Sequence, residues 1–80
     1  MNEKEILEYD ETARRICAKF QEIRESQELS KNVVSEKSGL SRSAIMRIEK
    51  GERVPSLNTL LRLAKALDVR LSEVIQPFEN

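Results

Sequence analysis

The amino-acid sequence predicts an all-α domain, a compact bundle of five helices. Apolar residues recur at steps of three and four along most of the chain, which is the period of an amphipathic helix. Serines that can cap helix starts alternate with glycines and prolines that can end helices. No segment shows the sustained period-two alternation of a half-buried strand, so we expect no sheet.

The first and longest helix is expected over about residues 11–26. Asp10 could cap a helix that starts near Glu11, although the helix could also begin earlier, near Asn2. We therefore treat residues 1–10 as an N-terminal extension that is either helical or frayed. One apolar stripe at steps of three and four marks the face expected to be buried: Ile6, Tyr9, Ala13, Ile16, Phe20 and Ile23.

Two short helices are expected next, over about 31–38 and 42–50. Each begins after a serine, whose hydroxyl can accept a hydrogen bond from the first turn of the helix. Each ends at a glycine, which adopts the left-handed conformation without steric penalty. The serine and glycine are Ser30 and Gly39 for the first helix, and Ser41 and Gly51 for the second.

Two further helices complete the predicted bundle. Leucines at helical spacing indicate a helix over about 57–67, and Ser56 can cap it. A last short helix is expected over about 71–76, with Pro77 ending it. The predicted organisation is an extension at 1–10, a single domain at 11–76 and a tail at 77–80.

Composition argues against several classes of function. Cys17 is the only cysteine and histidine is absent, so an intrachain disulfide is impossible and a zinc site would lack its usual ligands. We find no nucleophile–base pair and no phosphate-binding glycine loop, and we therefore predict no enzyme, no cofactor and no metal. The sequence lacks a signal-peptide pattern and a membrane-spanning run, so we expect a cytoplasmic protein.

The charge of the chain is zero overall but unevenly distributed. Residues 1–28 contain five basic and eight acidic residues, whereas residues 29–53 contain six basic and three acidic ones. Attraction to phosphate depends on the local patch more than on the total charge. The central third is therefore the part of the chain suited to nucleic acid.

Residues 29–69 read LSKNVVSEKSGLSRSAIMRIEKGERVPSLNTLLRLAKALDV. This segment resembles the lambda-repressor-like, Cro-type helix-turn-helix domain of the xenobiotic response element family, and the similarity extends from about Arg14 to Ile75. The resemblance implies a five-helix bundle in which the second and third helices form the unit that reads DNA. Its most specific parts are Gly39-Leu40-Ser41, Ile48-Glu49-Lys50-Gly51 and Pro55-Ser56-Leu57.

The resemblance also implies which residues contact DNA. With Ile45 and Ile48 turned inward, the outer face of the third helix is expected to contact base edges through Arg42, Ser43, Met46 and Arg47. Arginine can donate two hydrogen bonds to guanine, serine adapts to any base, and a methionine can either touch a thymine methyl or pack at the rim. The residues expected at phosphates are Ser30, Lys31, Ser41, Lys50 and Arg53. Family members often carry glutamine at the position of Lys31, so this contact departs from the pattern.

Two further sets of residues are expected to matter for structure and assembly. The resemblance places Arg24 against Glu49 as a partly buried ion pair. A single small domain makes few base contacts, so useful specificity normally needs two copies on a palindrome. We therefore expect a homodimer through the C-terminal end, and the residues assigned to its interface are Leu71, Val74, Ile75 and Phe78.

The sequence thus favours a regulator of transcription, as a repressor or autoregulator, that binds a palindromic operator in double-stranded DNA. The alternative is a protein-interaction module that keeps the fold without binding DNA specifically. The neutral net charge and the acidic first third of the chain are its best support.

Overall fold

A computed structural model describes residues 1–79, and the described part of the chain folds into five α-helices without a strand. The predicted all-α fold class is confirmed. The helices are α1 (Glu3–Ser26), α2 (Lys31–Ser38), α3 (Arg42–Glu49), α4 (Leu57–Ala66) and α5 (Leu71–Ile75), and a 3₁₀ turn spans Gln76–Phe78.

α1 is longer than the expected helix over 11–26, because it begins at Asn2 and not at Asp10. The side chain of Asn2 accepts a hydrogen bond from the backbone amide of Glu5 at 2.9 Å, and the Glu5 carboxylate reaches back to the amide of Asn2 at 3.4 Å. This reciprocal capping box satisfies two amides at the helix start. Asp10 consequently lies inside a continuous helix of 24 residues.

The buried face of α1 is shorter than the apolar stripe in its sequence. Phe20 is 2% exposed and Cys17 is also buried, but Ile6 and Tyr9, at the start of the stripe, are 48% and 64% exposed. A helix of this length spans about 36 Å, which is close to the 40 Å length of the whole molecule. The first turns of α1 therefore extend past the core that covers its second half.

The expected helix starts and stops of the central region are found in the structure. Ser30, Ser41 and Ser56 cap α2, α3 and α4, each accepting a hydrogen bond from a backbone amide three residues on. Gly39 and Gly51 adopt positive φ angles of 73° and 72°. α3, α4 and α5 each end one residue before the expected position, and Pro77 lies within the 3₁₀ turn that follows α5.

One hydrophobic core joins all five helices. Its most completely buried large side chains come from the first three helices and from the residue that follows α4, and they are Phe20, Val34, Ile45, Ile48 and Leu67. α1 packs against α3 and α5, while α2 packs against α3 and α4. No helix in the described part of the chain has the length and apolar character of a membrane span. This packing covers one face of α3 and leaves the other face open.

Candidate nucleic-acid interface

The open face of α3 carries the residues expected at base edges. Ile45 and Ile48 point into the core, where each is 1% exposed. Residues three or four apart share one side of a helix, so the side of α3 opposite these two residues faces outward. The exposed side chains of α3 are Arg42, Ser43, Met46 and Arg47. Together they form a polar, basic surface on a helix whose width suits the major groove.

The N-termini of α2 and α3 are each held by a serine cap. The Ser41 hydroxyl accepts a hydrogen bond from the amide of Ala44 at 3.0 Å, and the Ser30 hydroxyl accepts one from Val33 at 3.1 Å. Each cap satisfies one of the amides that a helix start leaves without an intrahelical partner. Lys31, the first residue of α2, is half-buried.

Several basic side chains on and after α3 have no acidic partner in the described part of the chain. Lys50 and Arg53 follow α3 and are exposed. Within residues 1–79, no ion pair forms at Arg42, Arg47, Lys50 or Arg53. Their positive charges are therefore available to an anionic ligand.

A nearly buried ion pair fastens α3 to α1. Arg24 donates from Nε to Glu49 Oε2 at 2.8 Å and from Nη2 to Oε1 at 3.0 Å, and its Nη1 donates to the carbonyl oxygen of Leu29 at 2.8 Å. The hydrogen bond to Glu49 raises the pKa of the Arg24 guanidinium, although burial acts in the opposite direction. This pair also removes Glu49 from the surface, which makes the exposed part of α3 more basic than its sequence suggests.

Three polar groups hold the turn between α2 and α3, and the site residues predicted from the sequence do not include them. Arg62, on α4, donates from Nε to the carbonyl oxygen of Ser38 at 2.9 Å. The Ser35 hydroxyl donates to the carbonyl oxygen of Leu40, and the Leu40 amide donates to the Ser38 hydroxyl at 3.1 Å. Serines near the end of α2 are a weak local signal that side chains bond to the turn. The contact from Arg62 joins residues 24 positions apart, so no local pattern in the sequence indicates it.

The turn also explains why residue 39 is glycine. Its φ angle of 73° is one that L-residues rarely adopt, and a Cβ atom at this position would lie 2.9 Å from Arg62 Nη2. The absence of a side chain at Gly39 therefore lets Arg62 reach the C-terminus of α2.

The described part of the chain contains one cysteine, which is buried, and no cluster of metal ligands. Cys17 is buried in the core, and burial raises the pKa of its thiol, which disfavours the reactive thiolate. Among residues 1–79, no group of three or more potential metal ligands is close enough to hold an ion.

The four C-terminal residues assigned to a dimer interface differ in exposure. Val74 is 4% exposed within the core of its own chain, so the expectation that it faces a second copy needs correction. Leu71 is half-buried and packs against the same core. Ile75 and Phe78 are also half-buried, and the Phe78 ring lies 5.5 Å from the guanidinium carbon of Arg15. This end of the chain is thus used largely for intrachain packing.

Known proteins resemble this fold and sequence. The helix-turn-helix family model matches residues 20–74. The chain is 38% identical over 56 residues to the HTH-type transcriptional regulator y4dL of Sinorhizobium fredii, covering 70% of this chain and 29% of that protein. It is 42% identical over 55 residues to the HTH-type transcriptional regulator PuuR of Escherichia coli, covering 69% of this chain and 30% of that protein. The chain thus spans about a third of the length of these relatives.

A solved structure is similar over most of both chains. The restriction-modification controller protein C.AhdI from Aeromonas hydrophila superimposes with a TM-score of 0.73 and 34% sequence identity. The match covers 78% of this chain and 94% of C.AhdI. The match to the family model begins at Phe20, so the part of α1 over residues 3–19 lies outside it.

Proposed function

The chain belongs to the helix-turn-helix family, and from this premise we propose that it is a transcriptional regulator that binds specific sites in duplex DNA. The observation that carries the proposal is the exposed face of α3, which presents two arginines without carboxylate partners among residues 1–79, while its opposite face is packed into the core. A helix held in this way can enter the major groove without a change in the fold.

Base reading is assigned to the outer face of α3. Arg42 and Arg47 can each donate two hydrogen bonds to guanine, and Ser43 can bond to more than one kind of base. Met46, which is partly exposed, can contact a thymine methyl group. These four residues would set the sequence of the site.

Phosphate binding is assigned to residues on both sides of the reading face. Lys31 at the start of α2 and Lys50 and Arg53 after α3 would contact the backbone as positive charges. Ser30 and Ser41 would contribute through the helix N-termini that they cap, where the helix dipole favours an anion. These contacts would fix the register of α3 in the groove and make binding dependent on salt.

We assign this activity to a homodimer on a palindromic operator. One α3 reads only a few base pairs, and two copies about one helical turn apart would double the number that is read. Occupancy of an operator that overlaps a promoter would block transcription, so the regulation we propose is repression, including repression of the protein's own gene. Action on DNA would place the protein in the cytoplasm, and the proposal includes no enzymatic activity.

The decisive experiment is selection of bound sites from random duplex DNA, followed by salt titrations on a selected and a scrambled duplex. We expect a palindromic consensus, tighter binding to the selected duplex, and affinity that falls linearly with the logarithm of salt concentration. Failure to enrich any sequence, with no salt-dependent binding to either duplex, would contradict the proposal. That result would favour the protein-interaction alternative.

A further inference from the structure

A groove runs between the N-terminal half of α1 and the C-terminal end of the described chain, and we call it the α1–α5 groove. One wall follows a single face of α1 over about three turns, from Glu5 to Ile16. The other wall is formed by the end of α5, the 3₁₀ turn and the residue after that turn. The apolar side chains that line the groove are Tyr9, Ile16, Ile75 and Phe78.

The core uses only part of this apolar lining. Tyr9 is 64% exposed, and Ile16, Ile75 and Phe78 are half-buried. Ile16 packs against the core, and the guanidinium carbon of Arg15 lies over the Phe78 ring, 5.5 Å from its centroid. The part that stays open is an apolar surface with a polar rim, which is typical of a binding site for another protein.

The charged residues that line the groove are all acidic, and they are Glu5, Glu8 and Glu79. None of the three forms an ion pair with another residue of 1–79. The surrounding part of α1 has the same sign of charge, because residues 3–11 contain five acidic residues and one basic residue. The groove therefore complements a ligand that presents both apolar and basic side chains.

The same charges argue against a second copy of this chain as the occupant. In a two-fold symmetric dimer, each patch meets the identical patch of the other subunit. The glutamates of one groove would then face the glutamates of the other, and like charges brought together in an interface are unfavourable. A head-to-tail contact would avoid this repulsion, but it does not close on two copies.

The shape of the groove suits a helix. The α1 wall is about 16 Å long, whereas apolar side chains at positions i, i+4 and i+7 of a helix extend over about 10 Å. We infer that the α1–α5 groove binds a basic amphipathic helix of another protein. The apolar side chains of that helix contact Tyr9 and Ile75, and its lysines or arginines lie beside the glutamates. None of the residues assigned to DNA lines the groove, so this inference goes beyond the proposed function.

The experiment uses two synthetic peptides of about 18 residues, since shorter isolated helices are marginal in water. Both carry leucines at helical spacing, and the flanking positions are lysines in one peptide and glutamates in the other. Each peptide is labelled and titrated with the full chain, and fluorescence anisotropy gives the affinity. We expect the parent to bind the lysine peptide and to show no binding of the glutamate peptide.

A first pair of variants tests the apolar lining. Tyr9→Ala should weaken binding of the lysine peptide by at least about five-fold, because a tyrosine in an interface is costly to truncate. Leu7→Ala is the matched control, since Leu7 is 58% exposed on the same turns of α1 but lies outside the groove. Leu7→Ala should bind like the parent, and circular dichroism should show the helix content of both variants unchanged.

A second pair of variants tests the charges. Glu5→Gln with Glu8→Gln should weaken binding of the lysine peptide roughly two- to thirty-fold, as expected for the loss of two exposed ion pairs. Glutamine at position 5 can still complete the capping box at the start of α1. Glu3→Gln with Glu11→Gln removes the same charge from the same part of α1 outside the groove, and it should have little effect.

Several outcomes would overturn the inference. They are a parent that does not bind the lysine peptide, equal binding of the two peptides, and equal losses in a groove variant and its control. A parent dimer that Tyr9→Ala converts to monomers in native mass spectrometry would place a second copy in the groove, with the same consequence. No DNA enters these measurements, so failure of the proposed DNA binding and failure of this inference are separate results.

Discussion

α3 and α4 are built alike but differ in what they expose and in which contacts hold them. Each begins at a serine N-cap. Each also ends in the same backbone motif, in which the amides of the two residues after the C-cap donate to carbonyl oxygens in the last turn of the helix. The residue in the left-handed conformation is Gly51 after α3 but Asp68 after α4. The exposed face of α3 is polar and basic, whereas that of α4 contains Leu57 and Leu61.

This difference indicates two uses for two similar helices. α3 is bracketed by glycine turns and fastened to α1 by an ion pair, as expected for a helix whose side chains must meet a ligand at fixed positions. α4 is instead tied to α2 by the hydrogen bond from Arg62 to Ser38, and its end accepts one from Gln27 at Leu67. It also exposes apolar surface, which suits contact with protein more than with phosphate.

The largest expected effect is at the buried side of α3. Glu49→Gln keeps the shape of the side chain but leaves the Arg24 guanidinium without a countercharge in a nearly buried site. Breaking a buried pair on one side costs about 3–5 kcal/mol of unfolding free energy, and any residual solvation of Arg24 would lower this value. The measurement is urea denaturation followed by circular dichroism.

A matched control separates the ion pair from surface charge effects. Glu52→Gln removes one exposed carboxylate from the loop that follows α3 and should change stability by less than about 0.5 kcal/mol. Equal urea midpoints for Glu49→Gln and the parent would show that the ion pair contributes nothing to stability.

The next effect is at the turn that precedes α3. Gly39→Ala places a side chain in the left-handed region and forces the Arg62 guanidinium away from its position. The conformational penalty is about 1–2 kcal/mol, and weakening of the hydrogen bond from Arg62 to Ser38 adds about 1 kcal/mol. Thermal unfolding of Gly39→Ala, of Arg62→Ala and of the double variant measures the coupling between the two residues. The double variant should lose less stability than the sum of the two single losses. Strictly additive losses would mean that Arg62 and Gly39 are independent.

The exposed face of α3 is tested by a pair of variants with the same change in charge. Arg47→Ala should cost roughly 1–3 kcal/mol of binding energy on a selected duplex and relax the preference at one base position. Lys31→Ala should weaken binding to selected and scrambled duplexes about equally, and should lower the salt slope by about one unit per half-site. Simple electrostatics predicts the same loss for both variants on both duplexes, and that outcome would remove the base-reading role of Arg47. Fluorescence anisotropy at several salt concentrations gives both quantities.

The local signals around α3 explain why this region could be predicted from the sequence. A serine cap and a glycine stop act within a few residues, so Ser41, Gly39 and Gly51 fixed the bounds of α3 to within one residue. The alternation of Ile45 and Ile48 with polar residues identified its exposed face in the same way.

Other features depend on contacts that the sequence does not encode locally. Asn2 and Asp10 are equally good caps, and only the uninterrupted helix between them decides that Asn2 is the one used. The periodicity places Tyr9 on the core face of α1 but cannot tell that the core ends before it. Val74 and Arg62 are similar cases, because the burial of the first and the partner of the second are set by other helices.

The smallest expected effect is a gain of stability at the end of α4. Asp68 has a φ angle of 56°, and Val69 and Asp68 donate to the carbonyls of Ala64 and Lys65 in the motif that Gly51 completes after α3. Asp68→Gly relieves the steric cost of a Cβ atom in this conformation, but glycine also gains freedom in the unfolded chain. Because aspartate tolerates the left-handed region better than most residues, the net gain should be below about 1 kcal/mol.

Glu28, at φ 57° after α1, lacks that tolerance, so Glu28→Gly should raise the melting temperature more than Asp68→Gly does. A loss of stability in both variants would contradict the prediction, because it would mean that the steric relief is smaller than the entropy that glycine adds to the unfolded chain.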